Sequence, residues 1–411
     1  MVKRIAKILF FLFWILTLTT CIDPYYPELG KYKSLLVIEG MVTDGNAPAR
    51  VRLTRTFQSA DSIPQKISDA QVYITDEDDN KTDLYYTGEG NYKTGESSGY
   101  KGQTGKIYTL HVKTSDGKEY LSEPCVMLPV PEIDSVYFAR VEKVDKNNNS
   151  INTGIMIYLD TDETTEDECY LRWEFQETWK FKLPSPKRYD YISDTEIIQL
   201  NSIREYCWKT NLSGEILTRP VLPGQGSVKN MPLNFVSPDK SDRLTVQYSI
   251  LVRQYSISTE EYNYWENLKQ VNETTGDIFD TQPYSVTSNI NGMTDPAEKV
   301  LGYFMVSSVK EKRIFITTNE LVGLELPVYK YPCTEHIVDP DTYFIPGSFG
   351  QPPTWDEINE MFMSVGGFIF VQPIYVDQTD ELYKLVFATV ECSDCSETGT
   401  IKRPDFWIDL P

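Results

Sequence analysis

Through most of this chain, apolar and polar residues alternate with the period of two that turns one face of a β-strand toward a core and the other toward water. Residues 35–42 form an apolar run ended by Asp44-Gly45, Val51 and Leu53 alternate with Arg52 and Thr54, and Val72-Tyr73-Ile74 runs into the acidic turn 76–80. Tyr108, Leu110 and Val112 alternate with Thr109 and His111, and Asp116-Gly117 signals a hairpin before the strand at 119–122. These elements predict an antiparallel β-sandwich over residues 34–128. Pro129-Val130-Pro131 stiffens the connector and interrupts strand pairing, which marks a boundary.

A second β-rich domain is expected over 132–252, with strands at 135–141, 154–159, 170–179 and 244–251 joined by long polar connections. Trp173 and Phe175 share a face with Leu171, so they read as core rather than as an exposed platform for a sugar. The C-terminal region, 253–411, is expected to pack on the second domain and to return to strand character at 300–309, 313–318, 367–375 and 383–390. Two short amphipathic helices interrupt it. Ser258 with Glu261 has the spacing of a capping box ahead of Tyr262, Trp265 and Leu268, and Thr354 with Glu357 repeats the device ahead of Ile358, Met361 and Phe362. The fold class is therefore mainly β, an antiparallel sandwich followed by one or two further β-rich domains, at a length that exceeds a single core.

The first residues break this pattern. Lys3, Arg4 and Lys7 precede an apolar run at 8–16, and Leu18-Thr19-Thr20-Cys21 closes it as a lipobox-like tetrad. An unbroken run of about nine residues is short against the roughly twenty needed to span a bilayer. The expectation is a lipoprotein signal peptide over 1–20, acylation of Cys21 as the only membrane attachment, and a tether over 21–33 containing Pro24, Pro27 and Gly30.

Composition narrows the partners. The chain has 39 basic and 60 acidic residues, a net charge of −21, and the leader holds three of the bases and no acid. Such a surface repels phosphate backbones, so nucleic acid is not an expected partner, and it disfavours lying flat on an anionic leaflet. Apart from Cys21 there are six cysteines, Cys125, Cys169, Cys207, Cys333, Cys392 and Cys395, an even set that suggests disulfides without choosing among pairings. Cys392 and Cys395 form a lone C-x-x-C in a polar loop. Zinc would need a second ligand pair, and thioredoxin-like chemistry would need a helix N-terminus in a βαβ unit, so structural disulfides or free thiols are the simpler readings. Asp76-Glu77-Asp78-Asp79 lacks the glycine and distal glutamate of an EF-hand loop and reads as a solvated turn.

No G-x-S-x-G, H-E-x-x-H, P-loop or dinucleotide fingerprint occurs. The only histidines are His111, expected on an exposed strand face, and His336, three residues after Cys333. A Cys333–His336 nucleophile would be lost if Cys333 were in a disulfide. Paired carboxylates for glycosidic cleavage need only meet in space, and with so many acids no pair stands out. No catalytic residue, metal or cofactor is expected. If a ligand such as a peptide or glycan binds, the domain junction and the aromatic loops carrying Tyr189, Tyr191, Asp341 and Phe344 are the places to look, although loop aromatics ordinarily fold back onto the body.

Several short motifs occur in order behind the leader: Leu36-Val37-Ile38-Glu39-Gly40, Gly90-Asn91-Tyr92, Tyr262-Asn263-Tyr264-Trp265-Glu266-Asn267-Leu268, Gly276-Asp277-Ile278-Phe279-Asp280, Pro283, Asn289-Ile290-Asn291, Val300-Leu301-Gly302-Tyr303-Phe304, Cys392-Ser393-Asp394-Cys395 and Lys402-Arg403-Pro404-Asp405-Phe406-Trp407. Together they resemble the Bacteroidetes lipoproteins gathered as the domain of unknown function 4249 family, over nearly the whole chain after the leader. The resemblance implies an outer-membrane lipoprotein whose first sandwich is transthyretin- or immunoglobulin-like, often encoded beside a TonB-dependent receptor, and supplies no catalytic residue. It sets the leading expectation: a non-enzymatic accessory to a TonB-dependent transporter, capturing ligand or contacting the barrel's loops, with the cell surface favoured over the periplasmic face. A structural or adhesive envelope protein is the alternative, and an enzyme acting on an extracellular polymer a more distant one.

Overall fold

The computed structural model describes residues 34–57, 63–145, 149–163, 169–222, 224, 226–274, 286–343, 352–377 and 381–410. The expected signal peptide and the tether with Cys21 lie outside the described residues. The body is mainly β, as the alternation predicts.

The first body is built from strands Leu36–Thr43, Arg50–Arg55, Gln71–Asp76, Lys81–Gly88, Asn91–Lys93, Ile107–Lys113 and Glu119–Ser122, which pair antiparallel around one core. The predicted hairpin at Asp116-Gly117 is present, with Gly117 at φ +85°. Leu36, Ile38, Val51, Leu53, Ile74 and Leu110 fill the interior, all of them at period-two positions.

Sequence reading placed 290–307 in the C-terminal region, but these residues complete the first body. Ile290–Gly292 pairs antiparallel with Glu119–Ser122, while Val300–Leu301 and Phe304–Ser307 run parallel to Leu36–Thr43. Two motifs far apart in sequence therefore meet. Gly302 adopts φ +91°, and a Cβ there would lie 2.1 Å from the Ile38 carbonyl oxygen; at Gly40 a Cβ would lie 2.7 Å from the Phe304 ring. Asn289, almost fully buried, fixes the register: its Oδ1 accepts from Phe304 N at 2.8 Å and its Nδ2 donates to Phe304 O at 2.9 Å.

The second body packs a three-stranded sheet of Ile133–Val144, Ile151–Thr161 and Met231–Val236 against a five-stranded one. The larger sheet centres on Cys169–Lys182, flanked by Gln247–Ile257 on one side and by Tyr206–Leu212 and Leu217–Val221 on the other, with Val309–Thr317 beyond Gln247–Ile257. Trp173 and Phe175 are core residues, as expected from their shared face. The expected division at 252/253 cuts through Gln247–Ile257, and the polar connections of the second region contain strands. Tyr206–Leu212, for example, runs Lys209-Thr210-Asn211 with no apolar alternation, because successive residues on both of its faces are exposed there.

A third, smaller core gathers Val338, Ile358, Phe362, Phe370, Leu385 and Phe387 from the sheet Glu335–Val338, Leu382–Thr389 and Phe368–Tyr375 and from helix Trp355–Val365. Thr354 caps that helix with a complete capping box, as its spacing predicts. The hairpin Tyr189–Ser193 with Glu196–Gln199 joins this core although it lies within the second region in sequence.

The three parts interlock. Phe304–Ser307 belongs to the first sheet and Val309–Thr317 to the second, with only the buried Ser308 between them. The proline connector is also held: the buried Gln254 side chain donates to Pro131 O at 2.8 Å and accepts from Trp173 Nε1 at 2.8 Å.

Candidate functional site

The cysteines resolve into two bridges, Cys207–Cys395 and Cys333–Cys392, spanning 188 and 59 residues of sequence. The C-x-x-C is not a polar loop but two one-turn helices, Val390–Ser393 and Cys395–Thr398, and each of its thiols reaches a different distant segment. Because Cys333 is in a bridge, the Cys333–His336 nucleophile is excluded. Cys125 and Cys169 stand outside both bridges, which corrects the expectation for the full set. The Cys125 thiol accepts from Asn289 Nδ2 at 3.3 Å, and burial, reinforced by the nearby Glu261, pushes it up to about 12. Such a thiol is protonated at neutral pH and a poor nucleophile.

His111 is half-buried rather than exposed. It stacks on Tyr73 with ring centroids 4.4 Å apart and shares a 3.0 Å hydrogen bond with Thr75, and desolvation lowers its pKa. His336 rests against Phe362 and Phe368. The 76–80 segment is a hairpin turn in which Asp76 Oδ1 accepts from the backbone of Asp78 and Asn80. Tyr191 turns onto the third core, its hydroxyl donating to Asp356 at 2.6 Å and its ring meeting Phe370 edge-on. Tyr189 and Tyr343 pack on the same core, and Phe344 lies outside the described residues. The loop aromatics therefore fold back onto the body. Among the described residues, no group of three or more His, Cys, Asp or Glu side chains is placed to hold a metal ion, and no described helix is long and apolar enough to cross a membrane.

A buried polar cluster lies at the domain junction. Helix Thr259–Thr274 starts as the spacing predicts, Ser258 Oγ accepting from Glu261 N at 3.1 Å, but the Glu261 carboxylate turns inward and accepts from Trp265 Nε1. Beside it lies Arg172, only 4% exposed, sandwiched between the rings of Tyr255 and Trp265 at 4.7 and 4.6 Å. Arg172 Nη1 donates to Glu174 at 2.6 Å, whose other oxygen accepts from the Tyr255 hydroxyl at 3.1 Å. Burial pushes the Glu261 carboxyl up to about 7 against the opposing pull of Arg172, whereas Arg172, then Arg50 and the Tyr255 hydroxyl, hold Glu174 below its usual range in spite of its own burial. Sequence reading found Glu261 as a cap and missed this cluster, since no local spacing connects residues 172, 255 and 261.

Two clefts open at this junction. One, of about 340 Å³, lies between the 123–128 segment and the start of the helix and presents Glu123, Cys125, Glu260, Glu261 and Tyr303. The other, of about 300 Å³, lies between the first body and the larger sheet of the second. On its first wall Arg50 and Lys93 sit directly opposite each other across paired strands. On its second wall Glu174, Arg253 and Glu311 form a row across three adjacent strands, Arg253 Nε donating to Glu311 at 2.7 Å. Met41 and Tyr255, both buried, lie between the walls.

No curated protein sequence matches this chain. A family profile does, over residues 22–313, which take in the first body, the junction and most of the second body but stop short of all the bridging cysteines except Cys207. The interlocked motifs of 36–40 and 300–304 lie inside that match, and the chain belongs to the family described as Domain of unknown function (DUF4249).

Proposed function

We propose that this protein is a non-enzymatic outer-membrane lipoprotein, lipid-anchored through Cys21 and displayed at the cell surface, that serves a TonB-dependent transporter by capturing ligand or contacting the barrel's outer loops. The observation that carries the reading is the leader: three bases, a nine-residue apolar run and Leu18-Thr19-Thr20-Cys21. The acidic body and its separation from the anchor by a proline-containing tether support a domain held away from the lipid surface. The transthyretin- or immunoglobulin-like character of the first sandwich belongs to the same proposal.

Two measurements test it. Cys21→Ala should move the protein from the membrane fraction to the soluble one; full retention after alkaline extraction would remove the anchor from the argument. A mild-detergent affinity pull-down from the native outer membrane, read by mass spectrometry, should recover a TonB-dependent barrel in stoichiometric amount. Recovery of the lipoprotein alone would favour the adhesive or structural reading, to which the interlocked strands and two bridges lend mechanical sense, and hydrolysis screens on extracellular polymers would then test the enzyme reading.

A further inference from the structure

Arg50 and Lys93 are the unusual pair in the 300 Å³ cleft. They are like charges directly opposite each other on neighbouring strands, an arrangement that is destabilising by itself, and both are exposed to the cleft. Among the described residues, neither reaches a carboxylate within salt-bridge distance. The facing wall carries Glu174, Arg253 and Glu311 in one row, each carboxylate paired with a guanidinium, Glu174 with Arg172 and Glu311 with Arg253. Glu311 spends one oxygen on Arg253, while Glu174 is held by Arg172 and Tyr255, so lone pairs remain on both carboxylates. The first wall is cationic, and the second presents carboxylate oxygens that keep free lone pairs. Phe304–Ser307 and Val309–Thr317, with one residue between them, join the two bodies beside the cleft.

We infer that this cleft binds a small zwitterion of the amino-acid or short-peptide class, its carboxylate on Arg50 and Lys93 and its ammonium on Glu311 and Glu174, with an apolar side chain against Met41 and Tyr255. A ligand carrying both charges at its two ends satisfies both walls at once, whereas a simple anion offers the carboxylate oxygens no donor and a neutral sugar leaves Arg50 and Lys93 uncompensated. The volume matches: about 300 Å³ accommodates a residue or a dipeptide and lies at the lower bound of ordinary small-ligand sites, which favour domain interfaces. The inference stands on the cleft alone and does not depend on the transporter reading.

The test is calorimetric titration of the full-length chain in mild detergent with three probes: Ala-Phe, N-acetyl-Ala-Phe and Ala-Phe-amide. Ala-Phe should bind, and blocking either terminus should weaken binding by about tenfold or more, as expected for loss of a charge-assisted contact. Arg50→Gln with Lys93→Gln should erase the difference between Ala-Phe and its amide, and Glu311→Gln should erase the difference between Ala-Phe and its acetylated form. Lys240→Gln, an exposed charge change away from the cleft, should alter neither. These positions are exposed, and an unchanged circular dichroism spectrum for each variant keeps loss of folding apart from loss of binding. No binding of Ala-Phe, equal binding of all three probes, or discrimination that survives the substitutions would each overturn the inference. None of these results bears on whether a barrel co-purifies.

Discussion

Gly302 illustrates how much a single residue decides here. With φ at +91° and its missing Cβ directed at the Ile38 carbonyl, it permits the parallel strand to lie against the first sheet. Gly302→Ala should cost at least about 3 kcal/mol in urea unfolding, because a strained backbone and a steric overlap with main chain add together. Glu261 gives a prediction with a sign. Its carboxyl holds a proton up to about pH 7 in the folded protein, whereas an unfolded chain releases it near 4.5. The folded state is therefore favoured below 4.5, and stability falls as pH rises from there to 7, by about 3 kcal/mol in all. Glu261→Gln should flatten that part of the pH–stability curve and leave the variant more stable than the parent at pH 8; a curve still sloping as before would show that the group titrates normally. Glu174, shifted the other way, acts below this window, its stabilisation being lost only as pH falls through its lowered pKa. The sequence made Glu261 legible only as a cap, for a capping box is a local pattern while its burial depends on Arg172, about ninety residues earlier in the chain. Asn289 was legible as part of a motif, but its two-way clasp of Phe304 was not.

Period-two alternation was enough to find most of the strands, because it reports which face of a segment is buried. It did not report partners. The strands at 300–307 were legible as strands, yet their pairing with 36–43 crosses the whole second body and leaves no local trace. Segments exposed on both faces, such as the second half of Tyr206–Leu212, carry no alternation and read as loops. The bridge Cys207–Cys395 ties that strand to the C-terminal helices, where Trp208 meets the buried Trp407 edge-on at 6.3 Å. Replacing both cysteines with alanine should lower stability by about 3–5 kcal/mol, as loss of a long-loop crosslink does, and should expose the 395–410 tail to limited proteolysis before the rest of the chain. An unchanged cleavage pattern would mean that the aromatic contacts hold the tail by themselves.

On the scale of the whole molecule, the parts are not separable at the boundaries that composition suggests. Residues 34–128 expressed alone lack the strands that cover one edge of Leu36–Thr43 and extend the sheet beyond Glu119–Ser122, so the fragment should aggregate or give a poorly dispersed NMR spectrum. Adding residues 286–308 through a linker should restore a cooperative unfolding transition; a folded, monomeric 34–128 fragment would contradict this account of the first body. The same interlocking gives the junction clefts a fixed frame, since the extended run from Phe304 to Thr317 belongs to both bodies.

The split C-x-x-C has a further consequence for how the native bridges come about. A chain delivered N-terminus first presents, after Cys21, the thiols of Cys125, Cys169, Cys207, Cys333, Cys392 and Cys395 in that order, and oxidation of neighbours as they emerge would join residues that are not partners in the finished protein. Both native bonds wait for the last twenty residues to arrive. Correct crosslinking is thus a terminal act of maturation, reached directly only if earlier thiols stay reduced and otherwise only through exchange, so the yield of natively bridged protein should depend on a disulfide isomerase as well as on the oxidant that forms the bonds.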